Sequence, residues 1–316
     1  MRVLVTGGGG FIGSHVAARL RDDGHEVRIL DSFATGRRSN LRALEGIELI
    51  EGDIQSYERA ATATRGCDVV LHQAALPSVP RSVQDPLMTN VVNVTGTLNV
   101  LLASRDNGVR RVVYASSSSV YGASPELPKV ETLRPWPISP YSVSKLAGEG
   151  YCRSFWNVYG LETVALRYFN VFGPRQDPNS QYSAVIPRFI TAGLEGHAPL
   201  IFGDGEQSRD FTYVDNVVEA NVLAMHAPDV AGEVVNVACG ERITLNAVVR
   251  ELGALLGRTI EPEYAPRRTG DVVHSVADIG RARAMLGYEP LIPFAEGLRL
   301  TLDARLAAEE RDGAPV

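Results

Sequence analysis

Residues 3–14, VLVTGGGGFIGS, run from an apolar strand-like stretch through four glycines into a helix-like stretch, which is the clearest indication of fold in the sequence. Gly7, Gly10 and Gly13 stand in the spacing GxxGxxG. Glycines at such a turn let the backbone fold tightly and let a pyrophosphate approach the N-terminus of the helix. Flexible turns also collect glycines, so the motif gains its weight from the strand before it and the helix after it.

Outward from this turn, strand-like and helix-like stretches alternate. Predicted strands cover residues 2–6, 26–31, 47–52, 68–74, 111–116 and 163–169, and predicted helices cover 11–21, 57–64, 87–107 and 141–158. The strands are rich in Val, Ile and Leu without clean alternation, which is typical of parallel strands covered on both faces. The pattern predicts an α/β fold with a Rossmann-type doubly wound parallel sheet. We expect this domain to span residues 1–170, with its sheet completed by 233–239, and a smaller C-terminal α/β substrate domain to span 171–316.

The composition argues against several classes of protein. The formal net charge of −6 disfavours a general nucleic-acid surface. No apolar run approaches the ~18 residues that a membrane span needs, and the start of the chain lacks the features of a signal peptide. The three cysteines form no CxxC pair, which disfavours a disulfide framework and a metal site. We therefore expect a cytoplasmic protein that binds no nucleic acid, no membrane and no metal.

Two carboxylates follow predicted strands on the same side as the glycine turn. Asp31 ends the second strand, where a carboxylate accepts hydrogen bonds from ribose hydroxyls and repels a 2′-phosphate, so it favours NAD over NADP. Arg37 and Arg38 lie close enough in sequence to weaken that preference. Asp53 follows the third strand, and two roles are open for it: binding adenine or capping a helix.

A second group of polar residues predicts chemistry. Tyr141 and Lys145 stand four apart in a predicted helix, so they share one face. An ammonium beside a phenol stabilises the phenolate, which predicts a lowered pKa for Tyr141 and a role as proton acceptor. Residues 116–119 are four serines at the end of the fifth strand, at the edge where doubly wound sheets bind ligands. A hydroxyl there can bond the same substrate oxygen as Tyr141.

With these segments the sequence resembles the extended short-chain dehydrogenase/reductase family, in particular the UDP-sugar 4-epimerases. The matching segments are TGGGGFIGS at 6–14, HQAA at 72–75, NVTGTLNV at 93–100, SSSSVYG at 116–122, YSVSK at 141–145, RYFNVFGPRQDPN at 167–179, AVIPRFI at 184–190, GDGEQSRDFTYVDNV at 203–217 and RTGDVVHSVAD at 268–278. The resemblance implies a tightly bound, recycled NAD and a UDP-sugar substrate. It also implies a homodimer formed by helices 87–107 and 141–158, where Val91, Val94, Leu98, Leu101 and Leu102 either form the seam or face the sheet.

The resemblance also assigns roles to individual residues. It implies a catalytic set of Ser117, Tyr141 and Lys145, with Ser118 and Ser119 as the alternative serines. Residues implied to bind NAD are Gly7, Gly10, Phe11, Ile12, Gly13, Asp31, Asp53, Ile54, Ala74, Ala75, Asn93, Tyr141 and Lys145. Residues implied to bind the UDP-sugar are Ser117, Ser118, Tyr141, Asn170, Val185, Leu200, Phe202, Arg209, Arg268, Asp271 and Ser275. The guanidinium groups of Arg209 and Arg268 suit a diphosphate because they form paired hydrogen bonds to phosphate oxygens.

The implied reaction is epimerisation at C4 through a 4-keto sugar. Relatives that dehydrate or decarboxylate carry an acidic residue just before Val-Tyr-Gly, whereas this chain has Ser118 and Ser119 there. In relatives restricted to UDP-glucose and UDP-galactose a tyrosine stands where this chain has Ser275, and a serine leaves room for an N-acetyl group. We expect UDP-N-acetylglucosamine and UDP-N-acetylgalactosamine as the favoured pair, alongside UDP-glucose and UDP-galactose.

The sequence is also compatible with three alternative functions. The first is a UDP-glucuronate 4-epimerase, in which Arg81 or Arg175 pairs with the substrate carboxylate. The second is a net NAD-dependent dehydrogenase or reductase of a nucleotide sugar. The third is a non-catalytic NAD-binding sensor, although such proteins typically lose the Tyr or the Lys that this chain keeps.

Overall fold

The computed structural model describes residues 1–177, 185–267 and 273–313, with side chains up to residue 310. In this part of the chain the strands are β1 (Arg2–Thr6), β2 (Glu26–Asp31), β3 (Glu48–Glu51), β4 (Val69–His72), β5 (Arg111–Ser117), β6 (Glu162–Tyr168), β7 (Val171–Phe172), β8 (Leu200–Phe202), β9 (Ser208–Arg209), β10 (Thr212–Tyr213), β11 (Glu233–Val237), β12 (Ile243–Thr244) and β13 (Glu263–Ala265). Seven of them form a parallel sheet in the order β11-β6-β5-β4-β1-β2-β3.

The helices of the described chain are α1 (Phe11–Asp22), α2 (Tyr57–Thr64), α3 (Val79–Gln84), α4 (Pro86–Asn90), α5 (Gly96–Asp106), α6 (Pro140–Tyr159), α7 (Val185–Glu195), α8 (Val214–His226), α9 (Leu245–Leu255), α10 (Gly280–Leu286) and α11 (Phe294–Gly313). Short 3-10 turns cover Arg38–Leu41 and Ser118–Tyr121. The predicted helix at 87–107 is α4 and α5 joined by a π-helical turn at Val91–Thr95.

Helices cover both faces of the central sheet, which explains its continuous apolar strands. In β1, Val3 and Val5 belong to a core that includes Val16 and Leu20 of α1, whereas Leu4 faces the opposite core with Val100 of α5. Successive strand residues point to opposite faces, so both sets must be apolar. The predicted Rossmann-type doubly wound fold is confirmed.

The second half of the chain adds a third core beside the sheet. Side chains of α7, α9 and α11 pack together with Phe172, Phe211 and Tyr213. Three two-stranded ladders, β7 with β10, β8 with β13 and β9 with β12, lie in this part of the described chain. Strand β11 returns to the main sheet beside β6. The division into two domains at residue 170 stays a prediction.

One helical segment is long and apolar enough to span a membrane by length and composition alone. It covers Pro86–Asp106, and half of it is buried inside the fold. Helix α5 within it packs against α2 and α6. The buried half packs inside the fold, which accounts for part of its apolar composition.

Candidate active site

A cleft of about 1550 Å³ opens at the carboxyl ends of the central strands. Parallel strands end at a common edge, so residues far apart in sequence meet there. Predicted site residues that line the cleft are Gly7, Gly10, Phe11, Ile12, Gly13, Asp31, Asp53, Ile54, Ala74, Ala75, Ser117, Ser118, Tyr141, Lys145, Asn170, Arg209 and Ser275. Arg268 and Asp271 lie outside the described residues.

The glycine turn forms a tight cradle at the start of α1. Gly7 has φ +72°, a conformation that favours glycine, and a Cβ on it would lie 2.7 Å from the backbone nitrogen of Ala74. A Cβ on Gly13 would lie 2.1 Å from the carbonyl oxygen of Gly7. Helix α1 begins at Phe11, and its N-cap residue, Gly10, has no side chain to cap the N–H groups of the first turn. The backbone therefore fits a pyrophosphate, whose oxygens suit the N–H groups of a helix N-terminus.

Asp31 holds this cradle to the end of β2. One carboxylate oxygen accepts from the backbone N–H of Gly9 at 2.7 Å, and the other accepts from that of Phe33 at 2.7 Å. Each oxygen has a second lone pair for a further donor. The same side chain can therefore position the loop and accept a hydrogen bond from a ribose hydroxyl in the cleft.

The two arginines that follow Asp31 both have acidic partners. Arg37 forms an ion pair with Asp177 across the cleft, with 2.8 Å between Nη2 and Oδ1. Arg38 pairs with Glu51, and its guanidinium lies over the ring of Phe33 at 4.3 Å. Because carboxylates neutralise both guanidinium groups, the two arginines attract a 2′-phosphate less than two solvated arginines would. They therefore weaken the preference for NAD over NADP only a little.

The contacts of Asp53 distinguish between its two open roles, binding adenine and capping a helix. Its carboxylate accepts from the backbone and side-chain nitrogens of Gln55 at 2.8 and 3.0 Å. The N-cap of α2 is Ser56, which accepts from the backbone N–H of Arg59. Asp53 therefore does not cap the helix, and it lines the cleft.

Asn93 is a predicted cofactor residue that the structure places behind the cleft wall. It is 1% exposed and does not line the cleft. Its amide accepts from the backbone N–H of Leu76 at 2.8 Å and donates to the Leu76 carbonyl at 3.2 Å and to the Ser144 hydroxyl at 3.0 Å. Because these contacts occupy the side chain, Asn93 supports the segment around Leu76 and does not face the cleft.

The start of α6 brings Tyr141 and Lys145 to the serine end of β5. A capping box between Ser139 and Ser142 fixes this helix end. The Lys145 ammonium donates to the carbonyl oxygen of Ala115 at 2.7 Å and lies 6.0 Å from the centre of the Tyr141 ring.

The pKa values of this pair correct one expectation. Burial raises the pKa of Tyr141 above 10, and a hydrogen bond with the Ser117 hydroxyl opposes that rise. Burial lowers the pKa of Lys145 to about 8, against the opposing effects of Cys152 and Glu149. The expected lowering of the Tyr141 pKa by Lys145 is not found in the protein alone, because the ammonium faces the Ala115 carbonyl and burial dominates.

The four serines differ in what their hydroxyls contact. Ser116 donates to the Glu149 carboxylate at 2.5 Å, away from Tyr141. The Ser117 oxygen accepts from the backbone N–H of Ser119 at 3.2 Å and bonds Tyr141. The Ser119 hydroxyl is shielded from solvent and has no partner in the described part of the chain. Ser117 is the serine in contact with Tyr141.

At the other end of the cleft, Asn170 and Arg209 are held by backbone contacts. Asn170 has φ +33° and donates to the carbonyl oxygen of Asp210 at 3.0 Å. Arg209 donates to the carbonyls of Ser208 at 2.9 Å and Val273 at 3.2 Å. The N–H of Ser275 donates to the Ser208 carbonyl at 3.1 Å. One short backbone junction thus brings Arg209 and Ser275 to the same wall.

Asp210, the neighbour of Arg209, anchors that wall from behind. Its buried carboxylate accepts from the backbone N–H groups of Cys239, Gly240 and Ala277 at 3.0, 3.0 and 3.1 Å. Burial raises its pKa to about 6, and these backbone donors act in the opposite direction. Asp210 therefore joins three segments at this end of the cleft.

Three predicted substrate residues do not line the cleft. Val185 begins α7 and packs against the third core. Leu200 and Phe202 lie in β8, which pairs with β13, and Leu200 is 37% exposed. Their placement follows from these contacts, and a direct role in binding the UDP-sugar stays a prediction.

The cleft also contains residues that the sequence did not single out. Gln73 donates to the Tyr168 hydroxyl at 3.1 Å, and both line the cleft. Lys129 is 3% exposed and donates to the Ser124 carbonyl at 2.5 Å. Gln73 and Tyr168 lie at strand ends on the same edge of the sheet, so their positions in the sequence could have predicted that they reach the cleft. Lys129 lies in a loop, and nothing in the sequence pattern predicted its place.

Comparison with known proteins agrees with this geometry. Residues 3–238 match the model of the NAD dependent epimerase/dehydratase family. The chain belongs to this family. It is 40% identical over 308 residues to the UDP-glucose 4-epimerase of Mycolicibacterium smegmatis, covering 96% of this chain and 98% of that protein. The NAD cofactor and the reaction class, a UDP-sugar 4-epimerase, are therefore confirmed.

Solved structures extend the comparison to the whole architecture. A UDP-glucose 4-epimerase of Thermotoga maritima with UDP-glucose has a TM-score of 0.93 and 38% identity, covering 98% of this chain and 99% of that one. A UDP-N-acetylglucosamine 4-epimerase of Methanobrevibacter ruminantium M1 in complex with UDP-N-acetylmuramic acid has a TM-score of 0.93 and 42% identity, covering 97% and 98%.

Proposed function

We propose that this epimerase interconverts UDP-N-acetylglucosamine and UDP-N-acetylgalactosamine, and also UDP-glucose and UDP-galactose. The observation that carries the choice is Ser275, a small residue on the cleft wall beside Arg209. A small side chain at this position leaves room for an acetamido group at C2. Relatives of both substrate classes share the fold, so the proposal rests on this position and not on overall similarity.

Tyr141 is proposed to move the proton at the 4-hydroxyl. Its phenol contacts the Ser117 hydroxyl, which is placed to bond the same sugar oxygen and to orient it. When bound, NAD supplies the hydride chemistry at C4 and a positive nicotinamide ring that favours the phenolate. Tyr141 takes the proton of the 4-hydroxyl as the 4-keto sugar forms. It returns the proton after the keto sugar has rotated to present its other face. Lys145, held by Ala115, is proposed to bind the nicotinamide ribose and to support the phenolate.

The rest of the cleft is proposed to hold the two ligands. The glycine cradle and Asp31 would bind the pyrophosphate and adenosine ribose of NAD. Asn170 and Arg209 would bind the diphosphate of the substrate, and turning of the keto sugar about that diphosphate exposes its other face. The acidic residues in the described lining are Asp31, Asp53 and Asp177, and none of these three lies at the serine turn. Eliminating water needs a further acid and base beside the sugar, so this lining disfavours dehydration.

Two variants of Ser275 test the substrate choice. Ser275→Tyr should lower kcat/KM for UDP-N-acetylglucosamine by roughly 10–200-fold, the range expected when a pocket no longer fits a substituent. It should leave kcat/KM for UDP-glucose nearly unchanged. Ser275→Ala, the matched control, removes the hydroxyl but keeps the space, so both substrates should react as with the unmodified protein. Equal losses for both substrates in Ser275→Tyr would show that Ser275 does not select the C2 group.

UDP-glucuronate is the second candidate substrate, favoured by two arginines in the cleft lining. Arg81 and Arg175 both line the cleft, and Arg175 adopts φ +66°. A guanidinium there suits a C6 carboxylate. Conversion of UDP-glucuronate but not of UDP-N-acetylglucosamine would select this candidate. A dehydrogenase would instead accumulate NADH from added NAD, and a sensor would turn over none of these sugars.

We also propose a homodimer through the helices beside the cleft. Of the two roles left open for the apolar residues of this segment, packing inside the fold is the one that fits Leu101, which is fully buried, and Leu98 and Leu102, which pack against the core. Leu87 on α4 and Val158 on α6 are 73% and 66% exposed and supply apolar surface instead. Light scattering should give twice the chain mass, and Leu87→Asp should give the single-chain mass.

A further inference from the structure

One buried carboxylate joins the helix and the strand that carry the proposed catalytic residues, α6 and β5, to the neighbouring strand β6. Glu149 lies on α6, one turn beyond Lys145, and is 6% exposed. Its Oε1 accepts from the Ser116 hydroxyl at 2.5 Å and from Nε of Arg167 at 2.8 Å, and its Oε2 accepts from Nη2 of Arg167 at 2.7 Å. Ser116 lies on β5 and Arg167 on β6, so a single side chain ties a helix to two strands.

Each partner of Glu149 is the neighbour of a cleft residue. Ser116 precedes Ser117, and Arg167 precedes Tyr168. In the β5–β6 register Ser116 stands opposite Arg167, and Ser117 stands opposite Tyr168. Successive strand residues point to opposite faces, so contacts that fix Ser116 on one face also fix the direction of Ser117 on the other. The Arg167 guanidinium also stacks on the Tyr121 ring at 4.7 Å.

Stability alone is a weak reason for such a group. Taking a carboxylate and a guanidinium out of water is costly, and apolar residues of similar size often stabilise a core as well as a buried ion pair does. What an ion pair with two parallel hydrogen bonds provides is a fixed geometry. Here that geometry lies directly behind the contact between Ser117 and Tyr141.

We propose that Glu149 is a positioning residue of the epimerase, which acts through Ser116 to hold the serine end of β5 where Ser117 meets Tyr141. The inference rests on the roles proposed above for Ser117 and Tyr141. Glu149 itself touches neither the substrate nor the cofactor in this scheme. Its negative charge also opposes the loss of the proton from Lys145, whose pKa burial lowers.

The decisive variant is Ser116→Ala, which leaves the Glu149–Arg167 pair intact and cuts only its link to β5. We expect kcat of the NAD-loaded enzyme to fall roughly 10- to 100-fold, as expected for a small misplacement of reacting groups, with KM within about twofold. Glu149→Gln should lower kcat similarly. The double variant should lose no more than the worse single variant, because both changes break one linkage. An unchanged kcat in Ser116→Ala, or losses that multiply in the double variant, would overturn the proposal.

The matched control is a second ion pair at the other end of the same strands. Arg111 begins β5 and donates to Glu162, the first residue of β6, at 2.8 Å. Glu162→Gln should lower the melting temperature but leave kcat unchanged, since it does not reach the cleft. A fall in kcat in Glu162→Gln as large as in Ser116→Ala would show that any loosening of β5 and β6 slows the enzyme, and would overturn the proposal.

A titration that needs no substrate separates this inference from the proposed function. The Ser117 hydroxyl lowers the pKa of Tyr141, so loosening Ser117 should raise it. The tyrosinate absorbance of Ser116→Ala, minus that of the same variant carrying Tyr141→Phe, should therefore titrate at higher pH than the corresponding difference for the unmodified protein. An unchanged midpoint would overturn the proposal even if no UDP-sugar is turned over, whereas a shifted midpoint without turnover would overturn only the proposed function.

Discussion

Replacing Gly13 with alanine is expected to destroy the cofactor cradle. The new Cβ would lie 2.1 Å from the Gly7 carbonyl oxygen, 2.8 Å from the Gly7 carbonyl carbon and 3.0 Å from Cα of Gly8. All three are backbone atoms, so no side chain can rotate away. The first distance must grow to at least 3.4 Å for an ordinary contact, which pushes the glycine loop away from the start of α1.

The size of the effect follows from two opposing contributions. Overpacking of this kind costs about 1–3 kcal/mol. Alanine in a helix gains about 0.5–1 kcal/mol over glycine, so the free energy of unfolding should fall by roughly 0–2.5 kcal/mol. The displaced Gly7 carbonyl also distorts the anion site at the helix N-terminus, so the variant should purify with little NAD.

Gly150→Ala is the matched control, because Gly150 is exposed in α6 and a Cβ there meets nothing within 4 Å. Its free energy of unfolding should rise by about 0.5–1 kcal/mol, and the protein should keep its NAD. The measurements are urea unfolding and the NAD released per chain on denaturation. If Gly13→Ala retains NAD and unfolds like Gly150→Ala, the assignment of this turn as the pyrophosphate cradle is refuted.

Three further predictions follow from the site. Tyr141→Phe should lower kcat by roughly 10²–10⁴-fold while the protein keeps its NAD, as measured by NMR turnover and NAD content. Burial lowers the pKa of Lys145 from 10.5 to about 8. Between these values only the unfolded chain binds the proton, so stability should rise with pH across this window, and Lys145→Met should lack that rise in urea unfolding. Asp31→Ala should cost about 1–3 kcal/mol of stability and most of the bound NAD, because it leaves the N–H groups of Gly9 and Phe33 without their acceptor.

Features that depend on local spacing were predictable from the sequence. The glycine turn needs only the strand before it and the helix after it, and the four-residue spacing of Tyr141 and Lys145 fixes their common face. Asp31 and the serines follow predicted strands, and all parallel strands end at one edge. The fold, and the meeting of these residues in one cleft, follow from these rules.

Features that depend on distant partners were not predictable. The hydroxyl of Ser116 is occupied by Glu149, which follows it by 33 residues, so the sequence alone could not separate the serines. The Asn93 amide accepts a hydrogen bond from the backbone N–H of Leu76, and Arg37 forms an ion pair with Asp177. The pKa of Tyr141 rises because burial dominates, whereas the spacing to Lys145 suggested a fall.

Proton NMR of the purified protein with UDP-N-acetylglucosamine and no added NAD tests the proposed epimerase activity most directly. UDP-glucose and UDP-glucuronate are followed in parallel samples. We expect UDP-N-acetylgalactosamine to appear and no NADH to accumulate, because the cofactor stays bound and is recycled. Turnover that begins only when NAD is added, with NADH accumulating, would contradict this expectation.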